Sequence, residues 1–344
     1  MLTSPAKVAP GDRVAVVSPS AALADVFPHV YERGLRVLRD DPGLVPVEYP
    51  TTRVGGSPAA RAADLTAAFA DDSIAAVLAT IGGDDQLTVL PHLDDKVLAA
   101  NPKPFLGYSD NTCLLHHLAG LGVGGWYGGS VMVHPGRAGG PHPYSMHWLR
   151  TALHATGWHA LDVPAGFTDE DADWNDPHAA PPPMRPATPW VWAGATATVE
   201  GPSWGGCLDV LPWLVLAGRL PDGPDGLRLD GGVLLLETSE ELMTDVEVYR
   251  VLRALGERGL LSRFGAVLAG RPKAWSIHDR RGLDQRAVYT ARQHAAVRRA
   301  VAEYAPGAVL VLDVDFGHTD PQAVLPYGGR IRVDATTGTI SAHY

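Results

Sequence analysis

Two cysteines, Cys113 and Cys207, in 344 residues are too few for a disulfide framework. Each is read as a small buried hydrophobe. Lysines are few and scattered, and the formal charge is −10 at pH 7. That balance disfavours nucleic acid as a partner, because phosphates must be neutralised by clustered Lys and Arg. No apolar run reaches membrane-spanning length; stretches such as Val233 to Leu236 are strand-sized. Met1 to Pro10 has one lysine and no apolar core of a secretory leader, and Val14 to Val17 is too short to supply one. The expectation is a cytoplasmic protein.

What remains is a chain with 46% hydrophobic residues, ample for packed cores, and long enough to suggest two domains. The first part alternates strand and helix. Arg13 to Ser18 reads as a buried strand, Asp25 to Arg39 as a helix with Val26, Val30, Leu35 and Leu38 at helical spacing. Ser57-Pro58 opens a further helix, with serine as N-cap and proline at the first helical position. Ile74 to Ile81 and Lys103 to Gly107 are strands, ending at Gly82-Gly83 and near Ser109. This alternation predicts an α/β fold: an N-terminal, mainly parallel sheet flanked by helices, with function at the carboxyl ends of its strands.

Between Pro164 and Pro202 the pattern breaks into a stretch rich in Pro, Asp and Trp. Trp174, Trp190 and Trp192 argue against a purely solvated linker, since loop aromatics pack on a domain or on a ligand. A smaller C-terminal α/β unit follows, with a mixed, β-rich sheet. Its strands are expected at Gly232 to Glu237, Ala266 to Gly270 and Ala308 to Asp315, its long helix at Gln285 to Tyr304, and a hairpin across Thr336-Thr337-Gly338. The expected division is residues 1–163, a linker and loop over 164–202, and 203–344.

Chemistry converges on strand ends. Gly107-Tyr108-Ser109-Asp110-Asn111 lies between a strand and a helix. A serine so placed is aimed out of the sheet, beside backbone N–H groups and the positive end of the helix dipole. A serine hydroxyl needs a base, and the base needs an orienting group. His318 follows the apolar run Val309 to Val314, and Glu237 ends Leu234-Leu235-Leu236, where an unpaired carboxylate is costly. Each residue also has a plainer reading. Ser109 or Asp110 could cap the following helix, Glu237 could open a polar loop, and His318 could be one turn histidine among 14. His134, His142 and His147 follow no recognised ligand spacing, so no metal is expected there.

The words around these residues resemble the LD-carboxypeptidase family of serine peptidases, which includes the microcin C immunity hydrolases. The matching segments are Val14 to Ser20, Ile81-Gly82-Gly83, Gly107-Tyr108-Ser109-Asp110, Gly205-Gly206-Cys207-Leu208, Leu236-Glu237, and Gly317-His318 followed by Leu325-Pro326-Tyr327-Gly328. The resemblance implies Ser109 as nucleophile, His318 as general base and Glu237 as its orienter. It implies an oxyanion hole from the N–H groups of Gly83 and Asp110, a homodimer, and no cofactor. Two substrate classes follow: a peptidyl- or aminoacyl-nucleotide conjugate, or a murein tetrapeptide that loses its terminal D-alanine.

Gly201 to Cys207, which includes Trp204, and Gly270-Arg271-Pro272-Lys273 look like the microcin-hydrolase subgroup, in which a loop aromatic stacks on the nucleobase. Trp174, Trp190, Trp192, Trp204, Arg271 and Lys273 are therefore substrate-binding candidates. One departure stands out. Where nucleotide-cleaving members can carry a lysine, this chain has Glu241 beside Glu240, and carboxylates repel phosphate. A protein of another class, a catalytically inactive binder that sequesters a toxic conjugate, is the remaining alternative. A general α/β-hydrolase esterase is disfavoured because G-x-S-x-G is absent around Ser109.

Overall fold

A computed structural model describes residues 2, 6–219 and 228–344. The N-terminal part runs β1 (Arg13–Val17), α1 (Pro28–Asp40), β2 (Val45–Glu48), α2 (Pro58–Ala70), β3 (Ile74–Ala79), α3 (Asp95–Ala100), β4 (Phe105–Gly107), α4 (Thr112–Gly120), β5 (Gly125–Tyr127) and α5 (Pro143–His154). Short strands follow at β6 (Trp158–Ala160), β7 (Gly166–Phe167), β8 (Arg185–Pro186) and β9 (Val191–Gly194). The remainder is β10 (Thr198–Cys207), α6 (Leu211–Leu216), β11 (Gly232–Glu237), α7 (Asp245–Glu257), β12 (Phe264–Gly270), α8 (Leu283–Tyr304), β13 (Val309–Val314), β14 (Leu325–Tyr327), β15 (Arg330–Asp334) and β16 (Thr339–His343).

The first sheet has the order β14-β5-β4-β3-β1-β2. Its strands are parallel except for β14, which pairs antiparallel with β5. Four of the five residues of β1 and five of the six of β3 are buried, as expected of strands covered on both faces. Helix α1 lays Val30, Tyr31, Leu35 and Leu38 on this sheet. Ser57 caps α2 as its sequence indicated, its side chain accepting from the N–H of Ala60.

The second sheet has the order β6-β16-β15-β10-β11-β12-β13-β9. Its centre, β10 to β13, is parallel; β9 and the hairpin β15–β16 are antiparallel additions. Strand β10 serves two neighbours in turn. Its first half pairs antiparallel with β15, and its second half pairs parallel with β11. The fold is the mixed α/β architecture expected from the sequence, with strand exchange between its parts. β14 crosses back to complete the first sheet, and β9 leaves the Pro/Trp-rich stretch to edge the second.

The carboxyl ends of the two parallel sheets meet. Tyr127, the last residue of β5, donates to Oε1 of Glu237, the last residue of β11, at 2.5 Å. Thr112, the first residue of α4, accepts at Oγ1 from the N–H of Cys207, at the end of β10. No helix among the described residues is long and apolar enough to cross a membrane.

Candidate active site

Ser109 stands two residues beyond β4 with φ +63°, one of three non-glycine residues at positive φ among those described. A left-handed serine is strained and persists only where its surroundings hold it. Here the holding group is Asp110. Its buried carboxylate accepts from Ser20 Oγ at 2.5 Å and from the N–H of Gln86 at 2.8 Å. Burial raises the Asp110 pKa, countered in part by those donors. The helix-cap readings of this segment do not match the geometry. No side chain caps the short 3₁₀ turn Ser109–Asn111 or α4, and the Ser109 hydroxyl makes no hydrogen bond among the described residues.

Gly82 lies against the serine. A Cβ there would fall 2.9 Å from Ser109 Cβ and 3.1 Å from its Oγ. Gly83 has φ +156°, and its missing Cβ would collide with Ser20 Oγ at 2.2 Å. The absence of side chains is thus what lets this loop run beside Ser109. The N–H of Gly83 donates to no acceptor among the described residues.

Glu237 and His318 meet on the other side. Glu237 Oε2 accepts from His318 Nδ1 at 2.5 Å, and both side chains are almost fully enclosed. The two Glu237 oxygens therefore have separate donors, Tyr127 and His318, which removes the penalty of a carboxylate at the end of an apolar strand. Gly317 explains the approach: a Cβ there would sit 2.6 Å from Glu237 Oε2. The Gly317 carbonyl accepts from Gln322 Nε2 at 2.6 Å, which fixes the turn bearing the histidine. The imidazole lies against the Tyr108 ring at 4.9 Å between centroids, next in sequence to Ser109. Burial opposes the imidazolium, but the charges of Glu237 and Glu240 win, and the His318 pKa is raised from 6.5 to about 9.

The other ring nitrogen, Nε2, faces Glu240 Oε2 at 3.5 Å. Glu240 was singled out in the sequence only as a neighbour of Glu241, and Tyr127 not at all. A tyrosine that ends a three-residue strand carries no local signal of its distant carboxylate. Cys207 Sγ, Glu237 and His318 offer ligand atoms within 4.8 Å of one another. Those atoms are engaged, since Nδ1 and Oε2 bond each other and Sγ lies 3.4 Å from Asp209 Oδ2. A cation there would have to break the Glu237–His318 bond.

The binding candidates divide. Trp204 is 1% exposed, donates Nε1–H to His116 Nδ1 at 3.0 Å and stacks on Phe264. It is a core residue, and the expectation that it meets substrate is corrected: no ring can stack on it without repacking β10. Arg271 is buried and tied to Asp315 at 3.1 Å and to Thr188. It acts as a strut for the loop rather than an open anion site. Lys273 Nζ bonds Asp171 of the same loop at 2.5 Å. Trp190 donates to Asp315, Trp192 lies in the edge strand β9, and Trp174 packs edge-on against Phe27 at 5.5 Å. These three are half-buried. The loop also bridges to the histidine turn, where Thr168 and Asp320 exchange backbone hydrogen bonds.

Two parallel sheets abut at their carboxyl ends, with a strained serine on one and a buried acid–imidazole pair on the other, in a mixed α/β fold. The chain belongs to the LD-carboxypeptidase family: residues 14–128 match the family's N-terminal domain and residues 200–333 its C-terminal domain. A carboxypeptidase candidate from Streptomyces coelicolor is 30% identical over 356 residues, covering 99% of this chain and 96% of the relative. The microcin C7 self-immunity protein MccF of Escherichia coli is 26% identical over 290 residues, covering 82% and 77%. Among solved structures, an MccF-like protein from Streptococcus pneumoniae in complex with AMP superposes with a TM-score of 0.82 at 27% identity, over 97% of this chain and 99% of that one. MccF bound to glutamyl sulfamoyl guanosine superposes with a TM-score of 0.83 at 22% identity, over 99% and 98%.

Proposed function

We propose that the protein is a serine hydrolase that cleaves an amide bond in a peptidyl- or aminoacyl-nucleotide conjugate, in the manner of microcin C self-immunity. The observation that supports the reaction type is the buried 2.5 Å bond between Glu237 and His318, whose imidazole lies against Tyr108, the residue before a serine held at φ +63°. In this reading His318 Nε2 takes the Ser109 proton as Oγ attacks the carbonyl, while Glu237 fixes the tautomer through Nδ1. The N–H groups of Gly83 and Asp110 receive the oxyanion, where losing one donor costs roughly 3–4 kcal/mol of barrier. His318 then protonates the leaving amine, and water releases the acyl group. The scheme requires no cofactor or metal.

The substrate class rests on the likeness to MccF and its nucleoside complexes. A second reading, removal of D-alanine from a murein tetrapeptide, is favoured by one feature. A carboxylate, Glu240, stands at the histidine, and Lys273 is already paired, so phosphate has no evident cation here. We place the protein in the cytoplasm as a homodimer, as the family resemblance implies. Trapping tests the chemistry: brief incubation with glutamyl sulfamoyl adenosine, acid quench and peptide mass spectrometry should place a glutamyl adduct on Ser109. An adduct elsewhere, or hydrolysis that persists in Ser109→Ala, overturns the reading.

A further inference from the structure

The base of the proposed reaction does not face open space. His318 is 7% exposed, and the atom that must accept the serine proton, Nε2, has Glu240 Oε2 3.5 Å away. The Glu240 side chain is itself 55% exposed, so it stands over the imidazole with solvent on its other side. Among the described residues His318 is its one ion-pair partner within 4 Å; the Lys273 ammonium, whose charge also acts on Glu240, is bonded to Asp171.

The turn carrying Glu240 is built to hold it there. Ser239 donates its N–H to Asp209 Oδ2 at 3.0 Å, and its hydroxyl accepts from the N–H of Glu241. Leu242 then adopts φ +54°, a conformation that a γ-branched residue enters only when constrained.

We propose that Glu240 is a specificity-determining residue: it covers His318 Nε2 in the free protein, and an ammonium group of the substrate, beside the scissile carbonyl, draws it away and exposes the base. Glutamyl and aspartyl conjugates carry such an ammonium on the carbon next to that carbonyl. Neutralising Glu240 removes one of two anions that favour the imidazolium, so the Nε2 proton passes to solvent and the lone pair becomes available to Ser109. A substrate whose amine is acylated supplies no such pull. This inference rests on the function proposed above and narrows it to aminoacyl conjugates, because the amine beside the scissile carbonyl of a peptidyl conjugate is itself acylated.

The groups around the imidazole permit the assignment. Glu237 reaches it from β11 and Lys273 from beyond β12. Asp209 follows β10, His134 follows β5, and the Tyr108 ring follows β4. Glu237 is bound at Nδ1 and by Tyr127, Lys273 is bound to Asp171, and Asp209 holds Ser239. Glu240 alone combines nearness to Nε2 with exposure.

The test uses Ser109→Ala, with and without Glu240→Gln, and two probes: glutamyl sulfamoyl adenosine and its N-acetyl form. Calorimetry should show the free amine bound at least tenfold tighter than the acetylated probe in Ser109→Ala. That preference should be lost when Glu240→Gln is added. Carbon-13 NMR of the His318 ring should place its titration midpoint at least one pH unit lower in Glu240→Gln than in the unmodified protein. An unchanged midpoint, or an amine preference that survives Glu240→Gln, overturns the proposal. If neither probe binds to any variant, the nucleotide reading fails, and the NMR midpoint still decides whether Glu240 controls His318.

Discussion

At the scale of single residues, the site is a set of mutual obligations. Glu237 has two oxygens and two donors, Tyr127 and His318, each at 2.5 Å. Removing the tyrosine hydroxyl leaves a buried carboxylate oxygen unmatched, a cost of about 1–3 kcal/mol. Tyr127→Phe should therefore lower the thermal midpoint and reduce kcat while leaving KM nearly unchanged; melting curves and steady-state kinetics check this. The histidine has a signed pH consequence. Its pKa in the folded protein is about 9 against an ordinary 6.5, so the fold favours the protonated form. The corresponding stability is complete below pH 6.5 and lost as pH rises through 9. Under the proposed mechanism activity runs the other way, because His318 must be neutral to accept the Ser109 proton. kcat/KM, which reports the free enzyme, should rise with a midpoint near 9. A pH-rate profile flat from 6.5 to 9 would remove His318 as the base.

Legibility in the sequence also differs by residue. Ser109, Glu237 and His318 announced themselves because each ends or follows an apolar run, and burying polar groups there demands partners. Tyr127 and Glu240 did not, since their importance comes from residues more than a hundred positions away or from one turn's handedness. Trp204 misled: the resemblance of Gly201 to Cys207 made it a binding candidate, whereas it, Gly205 and Gly206 lie inside β10. There a side chain would meet Leu235 O or Thr112 Oγ1.

Among the elements, the informative one is the stretch from 164 to 197. Its tryptophans indicated packing, and the structure shows how the packing is anchored. Asp169 and Glu170 are both gripped by Arg286 of α8, Asp171 by Lys273, and Thr188 by Arg271. Arg286 and Asp169 are nearly fully buried; without Arg286, Asp169 keeps Arg185 at 2.6 Å while Glu170 loses its cation, so the cost falls below the roughly 3–5 kcal/mol of a fully stranded buried charge. Arg286→Ala should lower the melting temperature and open the 164–190 segment to protease; mass spectrometry of early fragments would locate the cuts. For substrate contact, Trp174→Ala or Trp192→Ala should raise KM for a nucleotide conjugate more than for a murein peptide. Equal changes for both would mean that these rings only hold the loop. Regular elements with clear periodicity, α1, α2, α8 and the core strands, were readable from the chain. The short strands β5, β6, β9 and β14 were not, because three or four residues carry no period and their pairing is decided by distant neighbours.

For the whole molecule, the parallel sheets and their order of elements followed from the alternation of strands and helices, while the exchange of strands did not. β14 leaves the C-terminal part to finish the first sheet, and Tyr127 and Thr112 bind the ends of β11 and β10. Ser109 and the Glu237–His318 pair are thus carried by different sheets that touch at their shared edge. The most direct test of the resulting account is a side-by-side hydrolysis assay. Wild-type protein and Ser109→Ala would each receive glutamyl sulfamoyl adenosine and an L,D-linked murein tetrapeptide, with products separated by chromatography. The account predicts cleavage of the glutamyl conjugate by wild-type protein, little or none of the tetrapeptide, and a loss of roughly 10⁴- to 10⁶-fold in Ser109→Ala. Turnover of the conjugate by Ser109→Ala, or cleavage of the tetrapeptide alone, would contradict it.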